Sequence, residues 1–334
     1  MRYFSKVTCL VVSGWLLVSC APTINYLTTS VPEEGGIKFT QFTSDDEVAL
    51  GPTIRRNPAS GVLEWYAAPL IAVSPDGSRL TFLAKKDNKD NIFIKNTAGG
   101  RSTIQRTFRN QVNDMTFSPD GSKIAFTDSR QDQLGNFVDS DIYMINTTEG
   151  AAVQQITTTP LVELGPCFAP DGKSIYFTKS DGGRFYVWNV NLESSLLTQY
   201  SEGFTPSLSK DGKTLVITRN NKSSTRGEIW SIDLVAGTET LILNSEKMGF
   251  SSPQLSPDGK LIVCVGSTEK TTNTPENLNI YTIRPDGTGL TQLTFHPGHD
   301  VSPVWAPDGK SIYFISQRGN PTGKFNVWRL DFNQ

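Results

Sequence analysis

The sequence predicts an all-β fold: a six-bladed β-propeller of four-stranded antiparallel blades, closed by an N-terminal strand that completes the last blade. Three observations carry this expectation. A tight turn is written six times, an alternating apolar strand follows each copy, and a fourth-strand sequence that the last repeat lacks stands near the front of the chain.

The six turns are Ser74-Pro75-Asp76-Gly77, Ser118-Pro119-Asp120-Gly121, Ala169-Pro170-Asp171-Gly172, Ser209-Lys210-Asp211-Gly212, Ser256-Pro257-Asp258-Gly259 and Ala306-Pro307-Asp308-Gly309. Proline presets φ at the second position, Asp bonds nearby backbone from the third, and Gly takes the left-handed conformation that starts the next strand. Lys210 fits because a type I turn favours proline without requiring it. The turn aspartates recur at intervals of 44, 51, 40, 47 and 50 residues, the period of propeller blades rather than of helical solenoids.

After each turn an alternating strand follows: Leu80/Phe82, Ile124/Phe126, Ile175/Phe177, Leu215/Ile217, Ile262/Cys264 and Ile312/Phe314. Period two with one apolar face is a half-buried strand. Cys264 occupies the slot where four other blades place Phe, so it reads as a small core hydrophobe. A third strand carries Ile92-Phe93, Ile142-Tyr143, Val187-Trp188, Ile229-Trp230, Ile280-Tyr281 and Val327-Trp328, a packing layer between blades. Fourth strands such as Val153–Thr157 and Leu290–Thr294 close the blades. The last repeat ends without one, and Phe39-Thr40-Gln41-Phe42-Thr43 matches Leu290-Thr291-Gln292-Leu293-Thr294 position by position. The N-terminal strand is therefore expected to seal the ring and leave no unpaired edge there.

Six repeats at this period consume most of the 334 residues. The rest divides into a signal peptide at 1–19, Cys20 with a flexible tether to 36, and the propeller from 37 to 334, with an insertion near Asp46 to Trp65. Arg2 and Lys6 precede an apolar run from Val7 to Val18, which is too short for a spanning helix and suits a secretory leader. Leu17-Val18-Ser19-Cys20 resembles the bacterial lipobox, which implies cleavage before Cys20 and its acylation. Ala21 after the cysteine implies the outer membrane under the enterobacterial sorting rule. Residues Ala21 to Gly36 are polar and aperiodic, and sixteen such residues would hold the domain about 20 Å from the lipid on average.

Net charge is −2, and loss of the leader makes it more negative, which excludes a general nucleic-acid surface. Cys167 and Cys264 fall in blades three and five, which are not neighbours, so two buried thiols and no disulfide are expected.

The repeat in the form Pro303-Val304-Trp305-Ala306-Pro307-Asp308-Gly309-Lys310-Ser311-Ile312-Tyr313-Phe314 resembles the WD-like propeller repeat of the TolB family, over residues 37 to 334. The resemblance implies a TolB-like lipoprotein of the cell envelope. The α/β domain that precedes the propeller in that family has no counterpart in this sequence, and that family is soluble, whereas a lipid anchor is expected here.

In a four-stranded blade the Pro-Asp-Gly turns and the third-to-fourth connections share one face, and the second-to-third loops and blade crossovers share the other. Tight connections such as Ala98-Gly99-Gly100 and Val235-Ala236-Gly237 mark the first. Asp128 to Ser140, Arg219 to Gly227, Ser267 to Asn277 and the insertion with Arg55 and Arg56 lengthen the second, which is the expected partner surface. Crossovers there pass Asp114, Glu163, Glu202, His299 and Asp300, an expected acidic funnel over the channel that would attract a cation or basic side chain. His296-Pro297-Gly298-His299-Asp300 holds both histidines of the chain, yet its proline and glycine favour a turn over a metal site. Metal-dependent propeller enzymes need convergent histidines and carboxylates, and no Gly-x-Ser-x-Gly elbow is present. The expectation is a non-catalytic, monomeric binding module for an envelope protein or peptide, with no cofactor beyond a divalent cation at the channel mouth. The alternative is a cation-dependent enzyme acting on a carbohydrate or lactone.

Overall fold

The structure is a computed structural model that describes residues 36–43, 54–56, 63–65, 70–86, 89–98, 103–105, 107, 112–131, 137–148, 150–224, 226–268, 277–320 and 323–331. The leader, Cys20 and the tether lie outside them. Six four-stranded antiparallel sheets form the blades, and the described residues contain no α-helix.

Blade 1 is β4 (Ile71–Val73), β5 (Arg79–Lys86), β6 (Lys89–Asn96) and β7 (Thr103–Gln105). Blade 2 is β8 (Val112–Phe117), β9 (Lys123–Gln131), β10 (Phe137–Asn146) and β11 (Val153–Gln155). Blade 3 is β12 (Glu163–Phe168), β13 (Ser174–Asp181), β14 (Arg184–Asn191) and β15 (Leu197–Glu202). Blade 4 is β16 (Phe204–Leu208), β17 (Thr214–Asn220), β18 (Gly227–Asp233) and β19 (Glu239–Leu243), and blade 5 is β20 (Met248–Leu255), β21 (Ile262–Thr268), β22 (Leu278–Ile283) and β23 (Thr291–Gln292). Blade 6 is β24 (Asp300–Trp305), β25 (Ser311–Ser316) and β26 (Asn326–Asp331), completed by β1 (Lys38–Gln41). A separate hairpin of β2 (Ile54–Arg56) and β3 (Leu63–Trp65) occupies part of the insertion.

Each turn folds for the reasons its residues supply. In the first, the Gly77 amide donates to the Ser74 carbonyl at 2.8 Å, and the Ser78 amide donates to Asp76 Oδ1 at 3.0 Å. The six turn glycines hold φ between 68° and 73°, where a side chain would be strained. They also face the preceding blade. A Cβ on Gly77, Gly121, Gly172, Gly212 or Gly309 would lie 3.4 to 3.8 Å from Pro307, Pro75, Pro119, Pro170 or Pro257 respectively. The exception is Gly259, with nothing within 4 Å, because blade 4 has Lys210 in place of proline. The turns thus make a ring of proline-on-glycine contacts with one break.

The second-strand residues oppose the third-strand aromatics within each blade: Phe82 with Phe93, Phe126 with Tyr143, Phe177 with Trp188, Ile217 with Trp230, Cys264 with Tyr281 and Phe314 with Trp328. The same face packs on the preceding blade. Ile175, Phe177, Val190 and Trp188 meet Ala125, Ile142 and Met144 across the blade 2 to blade 3 boundary. Each wholly buried aliphatic or aromatic residue contributes roughly 1.5–3 kcal/mol through area removed from water.

The ring closes as expected. Phe39 pairs with Leu330 and Gln41 with Trp328, antiparallel along β26. The match between Phe39–Thr43 and Leu290–Thr294 extends to side chains. Gln41 Nε2 donates to the Thr43 carbonyl and Gln292 Nε2 to the Thr294 carbonyl, both at 2.8 Å. The Val327 and Ile280 amides donate to Thr43 Oγ1 and Thr294 Oγ1, both at 2.9 Å. Thr107 and Thr157 accept the Ile92 and Ile142 amides in the same way. A threonine at the end of the fourth strand is therefore a repeated lock on the buried third strand.

Candidate functional site

The innermost strands β4, β8, β12, β16, β20 and β24 line a central channel with a free volume of about 130 Å³. Among the described residues that line it, none carries a charged side chain. In four consecutive blades the wall is built from a left-handed residue followed by proline: Gly165-Pro166 (φ 61°), Thr205-Pro206 (51°), Ser252-Pro253 (52°) and Ser302-Pro303 (53°). The strand register shifts at each of these positions, so each is a β-bulge. A left-handed backbone costs a non-glycine residue about 1–2 kcal/mol, and β-branched Thr205 is an unusual occupant. Neighbouring side chains hold the bulges in place. The Gly165 amide donates to Asp114 Oδ2 at 2.8 Å, and the Thr205 amide donates to Thr178 Oγ1 at 3.0 Å. A bulge amide freed from its own ladder is thus taken by a side chain of the preceding blade.

That arrangement corrects the expected acidic funnel, since none of its five residues lines the channel. Asp114, Glu163 and Asp300 are each fully buried. Asp114 accepts the Thr127 hydroxyl as well as the Gly165 amide, and so ties blade 2 to blade 3. Glu163 accepts the hydroxyls of Thr157 and Thr159 where the chain crosses between the same blades. Burial raises its carboxyl to about 7, with the two threonine hydrogen bonds pulling the other way. Glu202 instead lies on the outermost strand of blade 3, its side chain 40% exposed and 4.0 Å from Arg184 Nη1, a pairing worth little in water.

His296 and His299 form the expected turn. His296 Nδ1 accepts the Gly298 amide at 2.9 Å, which occupies that nitrogen, while the His299 amide donates to Gln317 Oε1 at 3.0 Å. Burial lowers the His299 imidazole, keeping it neutral. Among the described residues no three His, Cys, Asp or Glu side chains converge as metal ligands. Both described cysteines are free. Cys264 is buried and its thiol pushed up to about 12, whereas Cys167, expected buried, is half-buried on the channel wall. The bulge at Gly165-Pro166 turns it there. Arg55 and Arg56 stand in β2, opposite Glu64 and Leu63 of β3. Cys20 lies outside the described residues.

The residue that the sequence reading missed is Arg318. It is fully buried and pairs with Asp300 Oδ2 at 2.7 Å, both side chains wholly out of water. Its guanidinium lies 4.1 Å from the Phe39 ring centroid, 5.1 Å from Phe314 and 5.9 Å from Trp328. All four strands of blade 6 therefore meet around one cation, with the closing strand β1 contributing the nearest ring. The bulge prolines were visible in the sequence, since each of Pro166, Pro206, Pro253 and Pro303 stands five residues before a turn aspartate.

The loops of the second face are shorter than their sequence suggested. β9 runs to Gln131 and β10 starts at Phe137, so much of Asp128 to Ser140 is hairpin extension. Residues 221–226 and 269–277 separate the corresponding strands of blades 4 and 5.

Residues 62–273 match the TolB beta propeller domain family. The chain belongs to this family. Tol-Pal system protein TolB of Francisella tularensis is 27% identical over 243 residues, covering 70% of this chain and 53% of that protein. An uncharacterized peptidase of Bacillus subtilis, YuxL, is 27% identical over 216 residues, covering 62% of this chain and 31% of that protein. The chain thus spans about a third to a half of the length of these curated relatives. The crystal structure of TolB from Acinetobacter baumannii superimposes with a TM-score of 0.59 at 18% identity, covering 83% of this chain and 66% of that one. What this TolB-type propeller offers chemically is a rigid, uncharged, hydroxyl- and proline-lined channel, with its buried carboxylates committed to holding blades together.

Proposed function

We propose that this chain is a non-catalytic binding propeller of the bacterial envelope, lipid-anchored through Cys20, which receives a protein or peptide partner on its loop face. The observation that carries the reading is the strained, preformed channel wall. Three non-glycine left-handed residues persist there, a form of strain that clusters where a surface is shaped in advance for recognition. A preformed wall without charge favours a neutral or apolar segment bound by shape, with little ordering cost. Membership of the TolB propeller family and the TolB relatives support the envelope setting. The described residues contain no helix long and apolar enough to cross a membrane, so the acylated Cys20 supplies attachment in this reading.

Photo-crosslinking residues placed in living cells test it. Val138 and Phe295 are exposed at the loop face, 44% and 57% respectively, and Leu196 is exposed at the turn face. The expected result is one discrete protein adduct from the loop-face positions and none from Leu196. Equal labelling from both faces, or no adduct at all, would sink the reading.

A further inference from the structure

The direction in which the chain enters the ring fixes an orientation. Lys38, the first residue of β1, pairs with Asp331, which also pairs with Ser311, two residues past the turn glycine Gly309. The polypeptide before β1 therefore joins the domain at the turn face, opposite the loop face. The third-to-fourth connections stand on the same side. The Leu192 amide donates to the Lys173 carbonyl and the Leu234 amide to the Lys213 carbonyl, joining those connections to the Pro-Asp-Gly turns.

Three successive blades present an apolar side chain to water at this face: Leu196, 64% exposed, Val235, 77%, and Leu290, 44%. Side-chain-to-backbone hydrogen bonds brace the connections that carry the first two. Asn191 Oδ1 accepts the amides of Glu193 and Ser194 at 3.0 and 2.9 Å, and Ser195 is left-handed at φ 59°. Asp233 Oδ1 accepts the amides of Val235 and Ala236 at 2.8 and 2.9 Å. These tips are separate, on different blades, with Lys and Asp turns between them. A rigid protein partner requires a contiguous complementary patch. A fluid surface accepts isolated apolar points, and interspersed charges of both signs require no anionic lipid.

We propose that the turn face rests on the bilayer, with Leu196, Val235 and Leu290 dipping into the interface, and that the channel mouth on the loop face points away from the lipid. The proposal rests on the anchor reading, because a lipid on Cys20 joined through a tether of about 20 Å keeps this face beside the membrane. It explains why the long connections lie where they do: the opposite face is the one free to meet a partner.

The test uses the full lipidated protein in phosphatidylcholine vesicles that carry a nitroxide-labelled lipid. In a Cys167→Ser background, where the other described thiol, Cys264, is buried, an added cysteine at Leu196→Cys, Val235→Cys, Val138→Cys or Phe295→Cys receives an environment-sensitive fluorophore. Quenching is expected to be several-fold stronger at 196 and 235 than at 138 and 295, and unchanged by added salt. Replacing all three tips by Asp, at exposed positions where folding is unaffected, should abolish that contrast for a label at Ala236→Cys. Floating protein with equal or reversed quenching overturns the orientation alone. Protein that does not float with the vesicles overturns the anchor reading, and this proposal with it.

Discussion

Aspartates at the turn end of the innermost strands sit in water and bond residues within a few positions of themselves. Carboxylates at the loop end of the same strands are buried, and their partners stand from four to 51 residues away in the chain. Asp120 accepts the Ser118 hydroxyl at 2.6 Å and the Ser122 amide at 3.0 Å, and these bonds hold its carboxyl down at about 2. Glu163 accepts from the crossover threonines Thr157 and Thr159, Asp300 from Arg318 in the connection between β25 and β26, and both are wholly excluded from solvent. The same functional group thus serves two purposes. At one end it shapes a local turn, and at the other it fastens neighbouring sheets, so the two ends should respond oppositely to pH and unequally to mutation.

The largest effect is expected at the Asp300–Arg318 pair. Removing one partner leaves a buried charge without compensation, which costs about 3–5 kcal/mol. Arg318→Met should therefore destabilise strongly in chemical denaturation, and Asp300→Leu by a similar amount. The double variant should cost much less than the two singles together, because an apolar pair of similar volume removes both desolvation penalties. Additive costs would show that the pair does not act as a unit. A second readout is local: Arg318→Met should speed hydrogen exchange along β1, since Phe39 loses the cation it lies over.

This contrast also accounts for what could be read in advance. The turns, the strand alternation and the N-terminal closure were legible because their determinants lie within a few residues or repeat in register, as with Phe39–Thr43 and Leu290–Thr294. The fates of Asp114, Glu163 and Asp300 were not. Asp114 and Asp300 depend on partners set by the tertiary fold, the Gly165 amide 51 residues on and Arg318, whereas the Glu163 threonines are near in sequence and only blade packing buries the group they bond. A solvated loop carboxylate and a buried one look alike in sequence, and only blade packing separates them. Arg318 was invisible for the same reason: Arg130 stands at the same offset in blade 2, yet its side chain is exposed and pairs with Asp139.

Glu163 should give the next effect, with a sign opposite to that of the turn. Its carboxyl rises from 4.5 to about 7 on folding, so the native state holds a proton that the unfolded chain releases. This group's contribution is therefore fully favourable below about pH 4.5 and is lost as pH rises toward 7. Glu163→Gln keeps the hydrogen-bonding shape without the charge. It should raise stability at pH 8 by on the order of 1–3 kcal/mol, and flatten the dependence between pH 5 and 7.5 in thermal melts. A variant that melts lower than wild type at pH 8 would contradict the assignment.

The turn aspartates act on the other limb. The Asp120 carboxyl falls from 3.8 to about 2 on folding, so its stabilisation is present above about pH 4 and disappears as pH falls through 2. Because this carboxylate is solvated, the expected cost of Asp120→Ala is only about 1 kcal/mol, from the lost turn hydrogen bonds. That cost should shrink when the melt is repeated at pH 2. The contributions of these two groups are jointly greatest near pH 4 to 5, where Asp120 is ionised and Glu163 is still protonated.

The smallest effect is a gain, and it concerns the single break in the ring of turns. Lys210 stands where the other five turns carry proline, and Gly259 opposite it has nothing within 4 Å. The blade 4 turn shares with the five proline turns the left-handed glycine and the local aspartate hydrogen bond, so the backbone at 210 should suit proline without strain. Lys210→Pro should stabilise by about 0.4–1 kcal/mol, chiefly by restricting the unfolded chain. A new contact on Gly259 would add to it. The two contributions separate in a cycle with Gly259→Ala. The left-handed φ of 71° makes that substitution costly in either background, but a proline packed on Gly259 would make it costlier still. If Lys210→Pro lowers the melting temperature, the turn in blade 4 differs from its five relatives, and the ring's break is a feature of that blade's geometry rather than of one side chain.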